Sequence, residues 1–325
     1  MAVATASRRS VSLAQARTRR TRFVGYLLLA PALLYILALV AIPFFLALSY
    51  SVRDVSVTNL SGGFVGLKNF SALFSDPTFR ESLRNTVIYT IVSIVINAVL
   101  GTLLAFILLE NFRGRRVVRF LILLPWTIPI ALTILSWKWM FDSQYSVLNW
   151  LGLKLHLYAL LDVIGPHLSH SYILLNTPQG VQWLGRGAIA MGGVIAVNVW
   201  RNFPFSAIIL LAGLTSVPPE IIDAARIDGA SPWTRYTKII VPMIAPILVI
   251  GLLFSIIFTV TDLTIVYLLT QGGPANATNV LSVYAFQVGI NSGNLSQGAA
   301  TTLFLTPVLL LLALFFLRQL RHREV

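Results

Sequence analysis

Long apolar segments alternate with short polar segments along the whole chain. Each apolar segment is close to or longer than the roughly 20 residues that an α-helix needs to cross a bilayer. Such segments favour helices, because a helix satisfies its own backbone hydrogen bonds in lipid. The expected fold class is therefore all-α and integral to the membrane. Six transmembrane helices are predicted, at Phe23–Tyr50, Asn85–Leu109, Phe120–Met140, Gly187–Thr215, Met243–Leu269 and Ala299–Leu317.

These spans predict one transmembrane domain, residues 23–318, between a basic tail, residues 1–22, and a short tail, residues 319–325. The first apolar run follows a basic stretch, as a signal peptide would. It is too long for a signal peptide and lacks a clear small-residue cleavage site. We therefore expect a retained helix.

The composition agrees with a membrane protein. Of the 325 residues 57% are hydrophobic and 11% are charged, whereas soluble domains carry about 25% charged residues. The chain has no cysteine, which excludes disulfides, cysteine–zinc sites and thiol nucleophiles. His167 and His170 lie three residues apart without a third ligand nearby. We interpret them as ordinary loop histidines and expect no metal site.

The net charge of +13 is concentrated beside the spans. Positive residues flank the cytoplasmic ends of membrane helices, so we expect a multi-pass protein with both termini in the cytoplasm. The clusters suit anionic lipid, and no basic patch with base-stacking aromatics indicates nucleic acid. The outer segments are then residues 51–84, 141–186 and 270–298, with short helices at Ser146–Leu151 and Tyr158–Ile164.

Residues 216–242, between spans four and five, contain the start and stop signals of two short helices. Proline fits a first helical turn, glycine accepts a left-handed stop, and serine is a good N-cap. A solvated connecting loop needs no such pattern, so we interpret the segment as a docking element with a smooth face at Ala224 and Ala225. The signals are Pro218, Pro219, Gly229, Ser231, Pro232 and, as the end of the second helix, Pro242.

The same segment resembles the EAA loop of binding-protein-dependent ABC importer permeases. Its Asp223-Ala224-Ala225 run is followed after three residues by Gly229 and later by Pro242. Ile227-Asp228-Gly229-Ala230-Ser231 is similar to a run in carbohydrate-uptake permeases of the maltose and glycerol-3-phosphate type. Asp223 stands where the family usually has glutamate, which keeps the charge on a shorter side chain.

Further motifs extend the resemblance over most of the chain and are similar to the first of the two permeases in such systems. They include Gly66-Leu67-Lys68-Asn69-Phe70, Leu123-Leu124-Pro125, Trp200-Arg201-Asn202-Phe203-Pro204-Phe205 and Thr270-Gln271-Gly272-Gly273-Pro274. The resemblance implies a type I ABC importer permease fold with a cytoplasmic EAA coupling helix. It implies that ATPase subunits contact Asp223, Ala224, Ala225, Asp228, Gly229 and Pro242.

The resemblance also implies the partners: a second permease subunit, two ATP-binding subunits and an extracytoplasmic solute-binding protein. The chain contains no G-x-x-x-x-G-K-[ST] phosphate loop. We therefore expect no cofactor and no enzymatic activity on this chain, with ATP and magnesium on the partner ATPase subunits. Energy must come from such a partner or from an ion gradient.

Two predicted helix faces combine hydrogen-bonding side chains with aromatic rings, because residues three, four and seven apart share a helix face. A pyranose ring presents CH groups to aromatic faces and hydroxyls to polar groups. The similarity to maltose-type permeases implies that these residues contact sugar. The alternative is that the polar residues join helices by hydrogen bonds. The predicted contacts are Asn198, Asn202 and Phe205 in span four and Ser255, Phe258 and Thr259 in span five.

Arg201 and Asp262 are charges inside predicted spans, where an ionised group indicates function. They pair with each other, line an aqueous path, or do both. The leading hypothesis is the permease subunit of an ATP-driven importer of a neutral mono-, di- or oligosaccharide. Glycerol-3-phosphate is an alternative cargo, although a phosphate favours several cationic groups. An ion-coupled secondary carrier, with Asp262 as its coupling group, is the alternative mechanism.

Overall fold

The computed structural model describes residues 25–156 and 181–321, in which every regular element is a helix. The helices are α1 (Gly25–Ser51), α2 (Lys68–Ser75), α3 (Pro77–Leu109), α4 (Arg115–Thr127), α5 (Ile130–Met140), α6 (Val147–Lys154), α7 (Gly187–Ser216), α8 (Pro219–Ile227), α9 (Pro232–Thr270), α10 (Leu281–Phe286) and α11 (Leu295–Arg321). Within these residues, α1, α3, α7, α9 and α11 are long and apolar enough to span a membrane. The expected all-α membrane fold is confirmed.

The predicted third span is a pair of helices, α4 and α5, that bend by 93° at a short break. Ile128 is extended at the break, with φ −75° and ψ 136°. The ring of Pro129 disfavours a helical conformation of the preceding residue, which accounts for the break. Counted as one span, the pair brings the candidate spans in the described residues to six, the predicted number.

Two spans begin at least eight residues earlier than predicted. Helix α3 begins at Pro77 rather than Asn85, and the Asp76 carboxylate caps it by accepting from the Thr78 N–H at 2.7 Å. Helix α9 begins at Pro232 rather than Met243 and is interrupted at Asp262 and Leu263. The predicted second short helix is therefore the first turns of a long span.

The prediction that Pro242 ends a helix is wrong. Residues Arg235–Ile240 form a π-helical stretch that leads directly into the α-helical residues from Val241 onward. A wider π turn relieves the clash between a proline ring and the carbonyl one turn earlier. The helix consequently continues through the proline.

The core lies where α3, α5, α7 and α9 meet. Tyr89, Ile134, Val197 and Ile265, one from each helix, are at most 1% exposed in its main cluster. Helices α3 and α7 cross closely at Gly101, where an added Cβ would lie 2.9 Å from the Ser206 Cβ. By contrast, α1 packs mainly on α11, and none of its side chains before Ser51 is buried within this chain.

The segment after α5 begins with the predicted short helix, here α6, which the Ser146 hydroxyl caps by accepting from the Asn149 N–H at 3.1 Å. The Asn149 Oδ1 accepts from the Val181 N–H at 3.1 Å and from the Trp183 Nε1–H at 3.0 Å. These bonds attach the chain entering α7 to α6. The predicted helix Tyr158–Ile164, His167 and His170 lie outside the described residues.

Candidate functional site

A cavity of about 400 Å³ lies where two helix breaks meet the middle of α7. One break separates α4 from α5, and the other interrupts α9 at Asp262 and Leu263. Broken helices expose backbone polar groups and are tolerated at membrane depth where they line a cavity. The lining residues are Trp126, Ile130, Arg201, Asn202, Phe258, Thr261, Asp262, Leu263 and Thr264.

Three aromatic rings pack against one another beside the cavity. The rings of Trp126 and Phe205 are stacked, with centroids 4.8 Å apart and planes inclined by 5°. Phe258 meets both rings edge-on, at 6.0 Å from Trp126 and 6.1 Å from Phe205. Trp126 and Phe258 line the cavity, whereas Phe205 lies against Trp126 and does not. One face of Phe205 is therefore covered by another ring.

Arg201 and Asp262 line the same cavity. The Arg201 Nη1 is buried and has no hydrogen-bond partner among the described residues. The Asp262 Oδ1 accepts from the Ile265 N–H at 3.0 Å, which caps the last part of α9. The ion pairs of 4.0 Å or less in the described chain join other residues, so the two charges share the cavity without closing on each other.

The six predicted sugar contacts are not brought together as one set. Asn202 and Phe258 line the cavity, and Asn202 donates its Nδ2–H to the Asn198 carbonyl at 3.0 Å. Asn198 and Thr259 are buried in helix packing, at 0% and 1% exposure. Ser255 lines a separate cavity of about 260 Å³ between α3, α7 and α9. The spacing predicted one shared face on each helix, but the residues of that face lie in two different cavities and in the buried helix packing.

Sequence reasoning missed Trp126 as a lining residue. It follows the Leu123-Leu124-Pro125 motif and precedes the Pro129 break, which is the signal that could have found it. Broken helices at membrane depth line cavities, so an aromatic residue beside a break is a candidate for the lining. Thr261 and Thr264 were also missed. They lie beside a break in a span as well, on either side of the α9 interruption.

The predicted docking segment contains one separate short helix, α8, and the start of α9. Gly229 has φ +75°, and its N–H donates to the Arg226 carbonyl at 3.1 Å. The Ala230 N–H reaches back to the Ala225 carbonyl at 3.0 Å. These bonds are the two of a Schellman helix end, in which glycine takes the left-handed position. The predicted stop at Gly229 is confirmed.

The side chains of this segment differ in exposure. Asp223 pairs with Arg226 at 3.0 Å, and both side chains are 62% exposed, so solvent weakens the pair. Ala224 and Asp228 are exposed. Ala225 is only 6% exposed, so the expected smooth face of two alanines is reduced to one outward-facing alanine. Pro242 is exposed but belongs to α9.

Ser231 caps the start of the next helix, as predicted. Its hydroxyl accepts from the Thr234 N–H at 3.2 Å, and Pro232 occupies the first helical position. Ile227 and Trp233, on the two sides of the turn, are 87% and 73% exposed. Large apolar side chains exposed around a structured turn are typical of a protein interface.

Comparison of this sequence with known proteins identifies one family. Residues 97–323 match the family described as binding-protein-dependent transport system inner membrane component. The trehalose/maltose transport system permease protein MalF of Thermococcus litoralis is 31% identical over 93% of this chain and 95% of its own length. The sn-glycerol-3-phosphate transport system permease protein UgpA of Agrobacterium fabrum is 29% identical over 93% of this chain and 96% of its own.

The fold also matches a solved structure. A chain in the crystal structure of a bacterial ABC transporter involved in the import of the acidic polysaccharide alginate superimposes with a TM-score of 0.73. The match covers 94% of this chain and 98% of that chain at 21% sequence identity. At this identity the likeness concerns the fold alone.

Proposed function

The chain belongs to the family of binding-protein-dependent transport system inner membrane components, and from that premise we propose that it is a permease subunit of an ATP-driven importer of a neutral sugar. The cargo is a mono-, di- or oligosaccharide. Its pathway passes the cavity between α4, α5, α7 and α9. The similarity to a protein named for trehalose and maltose supports this class of cargo.

The observation that carries the proposal is the chemistry of this cavity. Trp126 and Phe258 offer aromatic surface, while Arg201, Asn202 and Asp262 offer donors and acceptors beside it. A pyranose needs both kinds of group, because its CH faces are apolar and its rim carries hydroxyls. Sites for small ligands combine apolar walls with a few placed polar groups in this way. Asn198 and Thr259 are buried next to the lining residues and support them. Ser255 belongs to the part of the path nearer the cytoplasm.

Energy is supplied by other chains in this proposal. Two ATP-binding subunits hold ATP and magnesium and dock on residues 216–242, and a second permease completes the pathway. A solute-binding protein delivers the sugar from outside. The exposed turn around Gly229, with Ile227 and Trp233 beside it, supports a docking role for this segment. The chain is then a multi-pass subunit of a bacterial or archaeal plasma membrane with both termini in the cytoplasm.

The two alternatives, an ion-coupled carrier and a glycerol-3-phosphate cargo, differ in how well they are supported. The matched family is defined by dependence on a binding protein, which does not support an ion-coupled carrier that acts alone. Glycerol-3-phosphate stays a competing cargo because a relative is named for it. Arg201 is the only cationic residue that lines the cavity within the described chain, and Asp262 lies in the same lining. This balance favours a neutral cargo over a phosphate.

The test is uptake by proteoliposomes that contain this chain with its second permease, its ATPase subunits and its solute-binding protein. Radiolabelled glucose, maltose, trehalose, sucrose and glycerol 3-phosphate are supplied one at a time. We expect uptake of at least one neutral sugar that requires internal ATP and binding protein and persists with a protonophore. Uptake without ATP that collapses with the protonophore contradicts the proposal.

A further inference from the structure

A basic pocket of about 640 Å³ lies at the turn between α3 and α4. We propose that this pocket binds the headgroup of an anionic phospholipid that carries two phosphates, and that the bound lipid stabilises the start of α4. The pocket shares no lining residue with the cavity of the candidate site, so the proposal does not depend on the cargo. Four guanidinium groups line it, those of Arg113, Arg115, Arg116 and Arg119.

Two of the four arginines hold the turn itself. Arg115 donates its Nη1–H to the Asn111 Oδ1 at 2.9 Å, and Arg119 donates its Nη2–H to the Leu108 carbonyl at 3.0 Å. Leu108 is in the last turn of α3, where backbone carbonyls have no partner within the helix and the helix dipole favours cations. Arg115 and Arg119 therefore have a structural role besides lining the pocket.

The other two arginines are left for a ligand. Arg113 and Arg116 are exposed, and the hydrogen bonds and ion pairs among the described residues include neither side chain. The Nε–H of Arg119 is buried and also lacks an acceptor there. Glu110, the acidic residue next to the pocket in sequence, is exposed and is not in the lining. The pocket thus presents donors and positive charge that the described part of the chain does not balance.

The number and kind of these groups point to two phosphates. Guanidinium groups bind phosphate oxygens through paired hydrogen bonds. One phosphodiester carries a single negative charge and would leave most of the positive charge unbalanced, whereas two match Arg113 and Arg116 in number. The predicted orientation places the pocket at the cytoplasmic surface, where basic pockets between helices bind such headgroups. The volume lies within the roughly 300–1,000 Å³ of ligand pockets.

The apolar side of α4 favours a lipid over a soluble phosphate. Val117, Phe120 and Leu121 are 59%, 67% and 50% exposed, and their spacing places them on the face of the helix opposite Arg119. An amphipathic helix of this kind lies at the membrane interface, with its charges at the headgroups and its apolar face in the acyl chains. Phe112 adds an apolar ring to the pocket itself. A lipid contacts both sets of groups, whereas a free phosphate contacts only the arginines.

A bound lipid would stabilise a part of α4 that the chain itself does not bury. No side chain from Arg115 to Ile122 is buried within the described residues, so this half of the helix gains little stability from packing. Trp126, near the other end of α4, lines the candidate site beside the break at Ile128. The headgroup therefore stabilises a helix that forms part of the cavity wall.

The experiment titrates the purified complex of this chain and its partner subunits in detergent with cardiolipin, a phospholipid with two phosphates, and measures bound lipid by native mass spectrometry. We expect Arg113→Gln and Arg116→Gln each to raise the apparent Kd by about fivefold. Their combination should raise it by about thirtyfold, the equivalent of about 2 kcal/mol. The matched control Arg318→Gln removes an exposed arginine of α11 outside the pocket and should leave the Kd unchanged.

A charge-conserving pair tests the paired hydrogen bonds. Arg113→Lys combined with Arg116→Lys keeps the charge but loses the planar donor geometry, so we expect a Kd between those of the wild type and the glutamine pair. The lysine pair also keeps the positive charge that directs insertion. It therefore decides the question even where the glutamine pair is not inserted, because an unchanged Kd for the lysine pair would then exclude specific phosphate binding.

Two further ligands distinguish the source of the phosphate. Phosphatidylcholine has a phosphate and acyl chains without net charge, and we expect it to bind at least tenfold more weakly. Inorganic phosphate at millimolar concentration should not displace cardiolipin, because it lacks the acyl chains. Cardiolipin should also raise the melting temperature of the wild-type complex, since a ligand of the folded state stabilises it, and should raise that of the glutamine pair less.

The results that overturn the proposal are specific. Unchanged cardiolipin binding by the glutamine pair excludes the pocket, and equal binding of phosphatidylcholine excludes recognition of the anionic headgroup. Displacement by inorganic phosphate would assign the pocket to a soluble anion. Loss of the ATPase subunits from the glutamine pair, with lipid binding intact, would assign it to a protein contact. Sugar uptake enters none of these measurements, so failure of the proposed function would leave this proposal in place.

Discussion

Asn202 is the amide in the middle of α7 that reaches the cavity. Its Nδ2–H is engaged with the Asn198 carbonyl at 3.0 Å, which fixes the direction of the side chain. The amide oxygen is the part that can accept from a ligand hydroxyl. An amide held in place by its own helix loses little freedom when a sugar binds, which favours a role in orienting the cargo.

We predict that Asn202→Leu impairs uptake more than Asn202→Ser. Leucine removes both hydrogen-bonding functions and fills the cavity wall, whereas serine keeps a polar group and leaves room for water. An unsatisfied buried partner costs about 1–3 kcal/mol, so we expect the KM to rise by about tenfold or more for leucine. The measurement is initial uptake rate with ATPase activity of the same complex. Normal transport by Asn202→Leu would exclude Asn202 from the pathway.

Of the single residues that line the cavity, the sequence predicted some and missed others. Spacing along single helices found Asn202 and Phe258, and the cost of intramembrane charge found Arg201 and Asp262. Ser255 was grouped with Phe258 because the two are three residues apart, but helices also rise about 1.5 Å per residue. Ser255 lies nearer the start of α9 than Phe258 does and lines another cavity. Trp126 was not predicted, because the rings that pack against it, Phe205 and Phe258, come from distant parts of the chain. A pattern read along one helix does not relate such segments.

Among the helices, α3 and α7 approach each other closely at Gly101, where the missing side chain makes room for the crossing. A Cβ on Gly101 would lie 2.9 Å from the Ser206 Cβ and 3.2 Å from the Ala207 nitrogen. Small residues allow membrane helices to approach in this way and gain dispersion contacts. Ser206 lies four residues after Asn202 on α7, and the crossing joins two of the helices that enclose the core.

We predict that Gly101→Ala destabilises the protein, while Gly192→Ala does not. At Gly192, which is on α7, an added Cβ meets nothing within 4 Å. Overpacking costs about 1–3 kcal/mol, so the melting temperature of the purified protein in detergent should fall by several degrees for Gly101→Ala alone. Size-exclusion chromatography after a heating series gives the two values. An equal effect of both substitutions would show that the helices separate readily at Gly101.

A second prediction for an element concerns the turn after α8. Gly229 needs a positive φ and donates its N–H to the Arg226 carbonyl. Proline can meet neither requirement, whereas asparagine tolerates the left-handed conformation. We expect uptake and co-purification of ATPase subunits to be lost in Gly229→Pro and largely kept in Gly229→Asn, with similar amounts of each variant in the membrane. Full uptake and full co-purification by Gly229→Pro would contradict the docking role.

The elements themselves were predictable where they depend on local signals. Gly229 and Ser231 mark their helix ends as local chemistry requires, and the apolar runs locate the spans. The continuation through Pro242 was not predictable from a rule that treats proline as a stop, because a π-helical stretch accommodates it. The break at Pro129 follows a local rule, because the proline ring disfavours a helical Ile128. The interruption at Asp262 and Leu263 involves no proline, and it depends on how neighbouring helices cover the exposed backbone, which is a property of the assembled bundle.

For the whole molecule, the continuity of α9 relates the docking segment to the cavity. The helix runs from Pro232, directly after the Gly229 turn, to Thr261, where the interruption begins. A helix of this length extends about 45 Å at 1.5 Å per residue. A displacement of the docking segment would reach Asp262 through one packed element. Rigid-body motion of helices is the type of change that alternates access to a central site.

The last prediction is the orientation of the chain, on which the docking role depends. Clusters of arginine before α1, around the start of α4 and around the end of α11 are expected on the cytoplasmic side. Residues 216–242 then face the cytoplasm, and the segment containing α6 faces outside.

Because the natural chain has no cysteine, single substitutions report orientation without background labelling. Lys238→Cys and Gln144→Cys place thiols at exposed positions near the start of α9 and between α5 and α6. In intact cells, an impermeant maleimide should label the cysteine at position 144 and leave that at 238 unlabelled. After permeabilisation both should react, which controls for intrinsic accessibility. Labelling at 238 in intact cells would place residues 216–242 outside, away from any ATPase, and would overturn the proposed coupling together with the orientation.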